Sequence, residues 1–220
     1  MMDLATQAAG IGALAEPIRR ALYEYVVTQP EAVGREAAAT AVGVAAHKAN
    51  FHLDRLVDEG LLEVEFRRLS GKTGPGAGRP SKLYRRSARE WSLSLPARRY
   101  DLAGHILAAG VDCARRQQIA LADALDQAAH DEGESVGAEA RPRSLVDVLA
   151  DQGYEPRIDE AVLVLANCPF DALAVQHTDL VCGLNRAYVQ GVADGLGHTD
   201  VRACLEPEDG QCCVKVRPRS

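Results

Sequence analysis

VAAHKANFHLDRLVDEGLL, Val44 to Leu62, changes its periodicity at Gly60, and the change decides how the N-terminal part of the chain is read. Before the glycine, Ala49, Leu53, Leu56 and Val57 recur at helical spacing, which predicts a helix from about Val44 to Glu59. That stripe turns inward and leaves His47, Lys48, Asn50, Phe51 and Arg55 facing outward. His52, beside Leu53, reads as a packed, hydrogen-bonded histidine. After the glycine, LLEVEF alternates with period two, as a strand does. Upstream, Leu14, Ile18, Ala21, Leu22, Tyr25 and Val26 mark another helix, with Pro17 in its first turn and Pro30 closing it. A further helix spans Glu31 to Val42 and stops at Gly43. Downstream, the loop LSGKTGPGAGRPS leads into a second strand, KLYRR. Three helices followed by a hairpin with a glycine-rich tip is the order of a winged helix-turn-helix.

The charge distribution agrees with a polyanionic partner for this half. The formal net charge of the 220 residues is −6, but residues 1–90 carry 13 Lys and Arg against 11 Asp and Glu, and residues 91–220 carry 12 against 20. Between Arg67 and Arg89 there are eight basic residues and no acid. Such a run is ordinarily only a solvated surface, but here it follows a candidate recognition helix, where its field suits a phosphate backbone. The candidate DNA-binding residues are therefore His47, Lys48, Asn50, Phe51 and Arg55 on the helix, with Lys72, Arg79 and Lys82 on the wing. Asn pairs bidentately with adenine, Lys and Arg reach guanine or phosphate, and Phe touches the thymine methyl. The helix resembles the recognition helix of ArsR-like winged-helix repressors, and GRPSKLY, Gly78 to Tyr84, looks like their wing return. The resemblance covers about residues 14–87.

Residues 97–130 are rich in Ala and Leu and predict a long helical connector, which reads equally as a dimer surface or as an ordinary core helix. His130 to Ser144, HDEGESVGAEARPRS, is polar and dense in breakers and reads as a loop between order and disorder; Leu145 to Gln152 then makes a short helix ending at Gly153. The expected division is a winged helix-turn-helix domain at 1–90, a helical connector and dimerisation region at 91–144, and a cysteine-containing sensor domain at 145–220.

Of six cysteines, five (Cys168, Cys182, Cys204, Cys212 and Cys213) fall in the last quarter of the chain. The N-terminus lacks a basic segment followed by an apolar one, and no run is apolar enough to span a bilayer, so a cytoplasmic protein away from membranes is expected. In a reducing compartment, clustered thiols point to metal or redox chemistry. Ala161 to Cys168 is a strand candidate, His177 to Leu196 a helix, and Val201 to Glu206 with Cys212 to Arg217 a hairpin through PEDG. Together these predict an α+β fold whose small C-terminal antiparallel sheet packs on a helix. Alternation turns Cys212, Val214 and Val216 inward and Cys213, Lys215 and Arg217 outward. If PEDG closes tightly, Cys204 lies opposite Cys213, and the two are placed for a disulfide. Singly, each of these cysteines reads as a small buried hydrophobe; jointly, Cys168, Cys182 and Cys212 are candidate ligands for a metal or iron-sulfur centre. Cys213, Cys204, His177 or an outside ligand fills the fourth position.

NCPF with Cys168, the downstream Cys182 and the CC pair at Cys212 and Cys213 resemble SufR-type regulators. That resemblance implies a homodimeric repressor that binds operator DNA and holds a four-iron, four-sulfur cluster. The alternatives are zinc, thiol-disulfide switching or a small ligand, with no iron-sulfur cluster. The chain is not expected to be an enzyme. It has no nucleophile-base motif and no HExxH, and GPGAG lies in the hairpin without the strand-to-helix setting of a phosphate loop.

Overall fold

Glu16 accepts the Arg19 backbone N–H at 2.6 Å and Pro17 occupies the first turn, so helix α2, Pro17–Thr28, starts where its cap and its proline dictate. It belongs to the first of two units, Met1–Leu93 and Ser94–Ser220, of a computed structural model that describes residues 4–68 and 80–219. The first unit begins with α1, Leu4–Ala13. After α2 come the short strand β1, Val33–Gly34, then α3, Arg35–Val42, and α4, Ala46–Asp58. Gly43, at φ 74°, ends α3 in the left-handed conformation that a side chain would strain. Strands β2, Leu62–Arg67, and β3, Ser81–Arg86, pair antiparallel, and β1 joins on the far side of β3. Leu22, Val26, Ala49, Leu53, Leu56, Leu62 and Tyr84 form the core. Each fully buried aliphatic side chain among them contributes roughly 1.5–3 kcal/mol. Sequence reading missed α1, which is Ala- and Gly-rich with no strong stripe, and β1, which is too short to alternate.

The second unit departs from expectation in its first half. Residues 97–130 do not form one continuous helix. They hold α5, Tyr100–Gln117, and the start of α6, Leu121–Ala140, separated by a turn in which Gln118 is left-handed at φ 56°. The expected loop at His130 to Ser144 is helical through Ala140. Its glycines are where α6 meets α9, Thr178–Leu196. A Cβ on Gly133 would lie 2.1 Å from the Tyr188 carbonyl oxygen, and one on Gly137 2.3 Å from that of Val192. In return, Gly191 and Gly195 would place theirs 2.1 and 2.2 Å from the carbonyl oxygens of His130 and Glu134. The helices approach backbone to backbone, and the favourable packing outweighs the cost of roughly 0.5–1 kcal/mol that a helical glycine carries. His130 Nε2 and Asp194 Oδ2, 2.9 Å apart, close the same interface.

The remaining elements are α7, Leu145–Asp151, β4, Pro156–Asp159, β5, Val162–Leu165, α8, Asp171–Gln176, β6, Val201–Leu205, and β7, Val214–Pro218. The four strands form an antiparallel sheet in the order β4-β5-β7-β6, so the fold is α+β. Leu149, Tyr154, Leu165, Tyr188, Val192 and Val214 lie at the centre of this unit's core. The β6–β7 register pairs Cys204 with Lys215 and Leu205 with Val214. Cys204 therefore does not oppose Cys213. The connection runs from Glu206 to Cys213, with the Glu206 N–H donating to the Cys213 carbonyl, instead of turning tightly at PEDG. Among the described residues, no helix is long and apolar enough to cross a membrane.

Candidate functional site

The loop after β5, helix α9 and the residues leading into β7 bring four thiols into two contacts. The Cys168 and Cys212 thiols are near enough to shift each other's ionisation, as are those of Cys182 and Cys213. All six cysteines are free thiols. Cys212 is buried as alternation predicts, with Val214 and Val216 behind it. Cys213 lies at a bend before the strand proper and is half-buried beside Cys182. Cys182 lies on the expected helix, whereas Cys168 and Cys212 fall outside the expected strands, after β5 and before β7, and Cys213 joins them. Cys204 is on β6, its sulfur 4.0 Å from the Arg202 carbonyl oxygen, and His177 is exposed between α8 and α9.

The pairs are polarised in one direction. Buried Tyr154 donates its hydroxyl to Asn185 Oδ1 at 2.5 Å, and Asn185 Nδ2 donates to Cys212 Sγ at 3.1 Å. Cys212 in turn neighbours Cys168. That neighbour holds the Cys168 thiol below its ordinary range, with burial opposing and the Phe170 N–H assisting. The same proximity, followed by burial, pushes the Cys212 thiol up. Cys182 is pushed up to about 12 by burial first and by Cys213 second. Of the Cys168 and Cys212 pair, Cys168 is the thiol whose ionisation is favoured.

Sequence reading did not find the polar frame around Cys168. Asn167 is buried, and its Nδ2 donates to the Gly153 and Ala97 carbonyl oxygens at 2.5 and 3.0 Å. Arg98 Nη1 donates to Asn167 Oδ1 at 2.5 Å and to the Cys168 carbonyl oxygen at 3.2 Å. The Arg99 N–H donates to the Pro169 carbonyl oxygen at 3.0 Å. The strap 94–99, which opens this unit, is therefore stapled to the loop that carries Cys168. Asn167 was in view as part of NCPF, but its partners lie roughly 14 and 70 residues away in sequence. Among the described residues, the trio of His, Cys, Asp or Glu donors whose ligand atoms all lie within 4.8 Å of one another is His130, Asp131 and Glu134 on α6, two of them exposed. The thiols gather as two pairs and form no trio of that compactness.

In the first unit, α4 presents His47, Lys48, Phe51 and Arg55 to solvent, with Asn50 half-buried; Phe51 is 65% exposed. Ala49, Leu53 and Leu56 are buried as expected and Val57 is half-buried; His52 is buried, but its Nδ1, 3.6 Å from Glu16 Oε2, lacks the expected hydrogen bond. Several of the outward residues already have partners. Asp54 accepts from Lys82 at 2.5 Å, from the Tyr84 hydroxyl at 2.8 Å and from Asn50 Nδ2 at 3.0 Å. Partial burial raises the Asp54 pKa, but these donors outweigh it and hold the carboxyl below its ordinary value. Arg55 pairs with Glu59 one turn on. Asp54 was not singled out from sequence, although i,i+4 spacing from Asn50 signals that pair. Lys72 and Arg79 lie outside the described residues. No family model matches the chain, and no curated protein matches it significantly.

Proposed function

We propose that the chain is a DNA-binding transcriptional regulator of the SufR type, a repressor acting as a homodimer. In this reading its first unit is a winged helix-turn-helix and the thiols of its second unit hold an iron-sulfur cluster. The observation that carries the reading is the gathering of Cys168, Cys182, Cys212 and Cys213 from three separate segments into contacting pairs at the edge of a packed core. Four soft sulfur donors fit an iron-sulfur cluster, which spreads its thiolates over several irons. A single zinc at ~2.3 Å from each thiolate calls for a compact tetrahedral set, which the two pairs do not make as they stand. When bound, the cluster supplies sensitivity to oxygen, iron supply and redox state.

The protein's own residues do the rest. Asn167 and Arg98 bind the Cys168 loop to the strap at 94–99, so a shift of that loop on gaining or losing the centre displaces the strap leading to the first unit. A change in DNA affinity of 5- to 150-fold needs a differential of only about 1–3 kcal/mol. Three short helices, α2 to α4, with the β2–β3 hairpin behind them support the winged-helix reading. Lys48, His47 and Phe51 are the side chains of α4 left free to meet a major groove. Exposed Val111, Ile119 and Leu121, on α5 and around its turn to α6, support a dimer surface. The contacting pairs also favour a second reading in which two thiols yield a disulfide with loss of two protons and two electrons to an outside oxidant.

The test is anaerobic purification with an absorbance spectrum and iron and sulfide analysis, followed by binding to duplexes selected from a random pool. A brown protein whose DNA affinity changes when the iron is chelated is the expected result. A colourless protein that loses free thiols on oxidation points to the disulfide reading. Failure to select any duplex, with Lys48→Ala indistinguishable from wild type, removes α4 as a reader.

A further inference from the structure

Asn185 is a deeply buried amide, 1% exposed, on the inner face of α9. A core position costs an amide its hydration, so both of its ends need partners. The oxygen takes the hydroxyl of Tyr154, itself fully buried, at 2.5 Å. The nitrogen has the sulfur of Cys212 at 3.1 Å. A neutral thiol is a weak acceptor, a poor return for a buried amide donor, whereas a sulfur bearing negative charge is a strong one. An apolar side chain of the same shape would pack in this core without the desolvation cost. The arrangement makes sense if the Cys212 sulfur carries negative charge in the working protein.

We infer that Asn185, held in orientation by Tyr154, is a positioning residue that donates its N–H to the Cys212 sulfur and thereby raises the reduction potential of an iron-sulfur centre bound there. The inference rests on the reading of Cys212 as a cluster ligand. Reduction by one electron from an outside donor, such as dithionite, adds negative charge that the ligand sulfurs share. A fixed N–H aimed at one sulfur stabilises the reduced form more than the oxidised one. Tyr154 keeps the amide from turning its oxygen towards the sulfur, which would reverse the effect.

The experiment is anaerobic reconstitution of the full chain with ferrous iron and sulfide, then dithionite titration with mediator dyes. Wild type is compared with Asn185→Leu, which removes the donor, and Tyr154→Phe, which frees the amide. Asn185→Leu is expected to take up the same iron and sulfide but to reduce less readily, by about tenfold in the one-electron equilibrium, or about 59 mV lower. Tyr154→Phe is expected to shift the same way by less, and it carries the test if the leucine variant does not fold. Wild-type potentials in loaded, folded variants overturn the role of Asn185 and leave the cluster reading standing. A wild-type protein that takes up no iron-sulfur chromophore overturns both.

Discussion

On α4 the residues proposed to meet DNA stand in solvent, fixed by a packed inner face and a few surface ion pairs, whereas the thiols of the second unit are set by buried hydrogen bonds and close helix packing. The first arrangement is local. His47, Lys48 and Phe51 are displayed because Ala49, Leu53 and Leu56 are buried one turn away on the same helix. The second is distributed, since Cys212 meets Cys168 only if β5, β7 and α9 are all in place. The difference teaches that damage should stay local in the first unit and spread in the second.

The largest expected effect tests how far damage spreads. In Gly191→Leu the new Cβ falls 2.1 Å from the His130 carbonyl oxygen, a backbone atom that cannot move aside. The loss should exceed the 1–3 kcal/mol typical of core overpacking, at about 4 kcal/mol or more. Circular dichroism and limited proteolysis should show the second unit melting while the first still unfolds cooperatively. A variant in which both units keep wild-type melting would break the comparison.

Next comes the thiol cluster. After anaerobic reconstitution, Cys168→Ser and Cys212→Ser should lose most of the iron and the visible chromophore, with Cys182→Ser close behind. Cys204→Ser and Cys113→Ser should retain both. Iron content decides it, and a full complement in both Cys168→Ser and Cys182→Ser would reduce the thiols to packing residues.

Asn167→Ala sharpens the comparison by removing one buried amide that joins three segments. Each of its three hydrogen bonds contributes about 1 kcal/mol, so about 3 kcal/mol of local stability should go. Amide exchange over residues 94–103 should quicken by roughly tenfold or more for that loss. Unchanged exchange would mean that the strap is held by other contacts.

The smallest effect belongs to the first unit and follows from Asp54. Its carboxyl is held below its ordinary value, so the stability it contributes is present above pH 4 and is lost as pH falls through the folded-state value. Thermal melts between pH 5 and pH 2.5 should show a destabilisation that is shallower in Asp54→Asn. Because the site is well exposed, solvent screens the pair and the difference should be small. A steeper dependence in Asp54→Asn would contradict the assignment.

The elements that sequence alone located are those whose signal is periodic and contained in one segment. The stripe of α4, the alternation of β2, the stop at Gly60 and the inward side of Val214 and Val216 all follow from 3.6- and 2-residue repeats against a single core. The outward set on α4 follows by subtraction. Tertiary structure decided what depends on a distant partner. Gly133 and Gly137 read as breakers until Gly191 and Gly195 are seen opposite them, because a helix tolerates glycine where another backbone approaches. The β6–β7 register follows from which residues the core accepts, and the turn sequence leads to an offset of two. Cys213 sits beside Cys182, a neighbour on a distant helix that its place in the sequence does not give. Asn185 and Asn167 look like ordinary polar residues in the sequence. Burial, which only the folded chain defines, obliges them to find partners, and it sets them at Cys212 and beside Cys168.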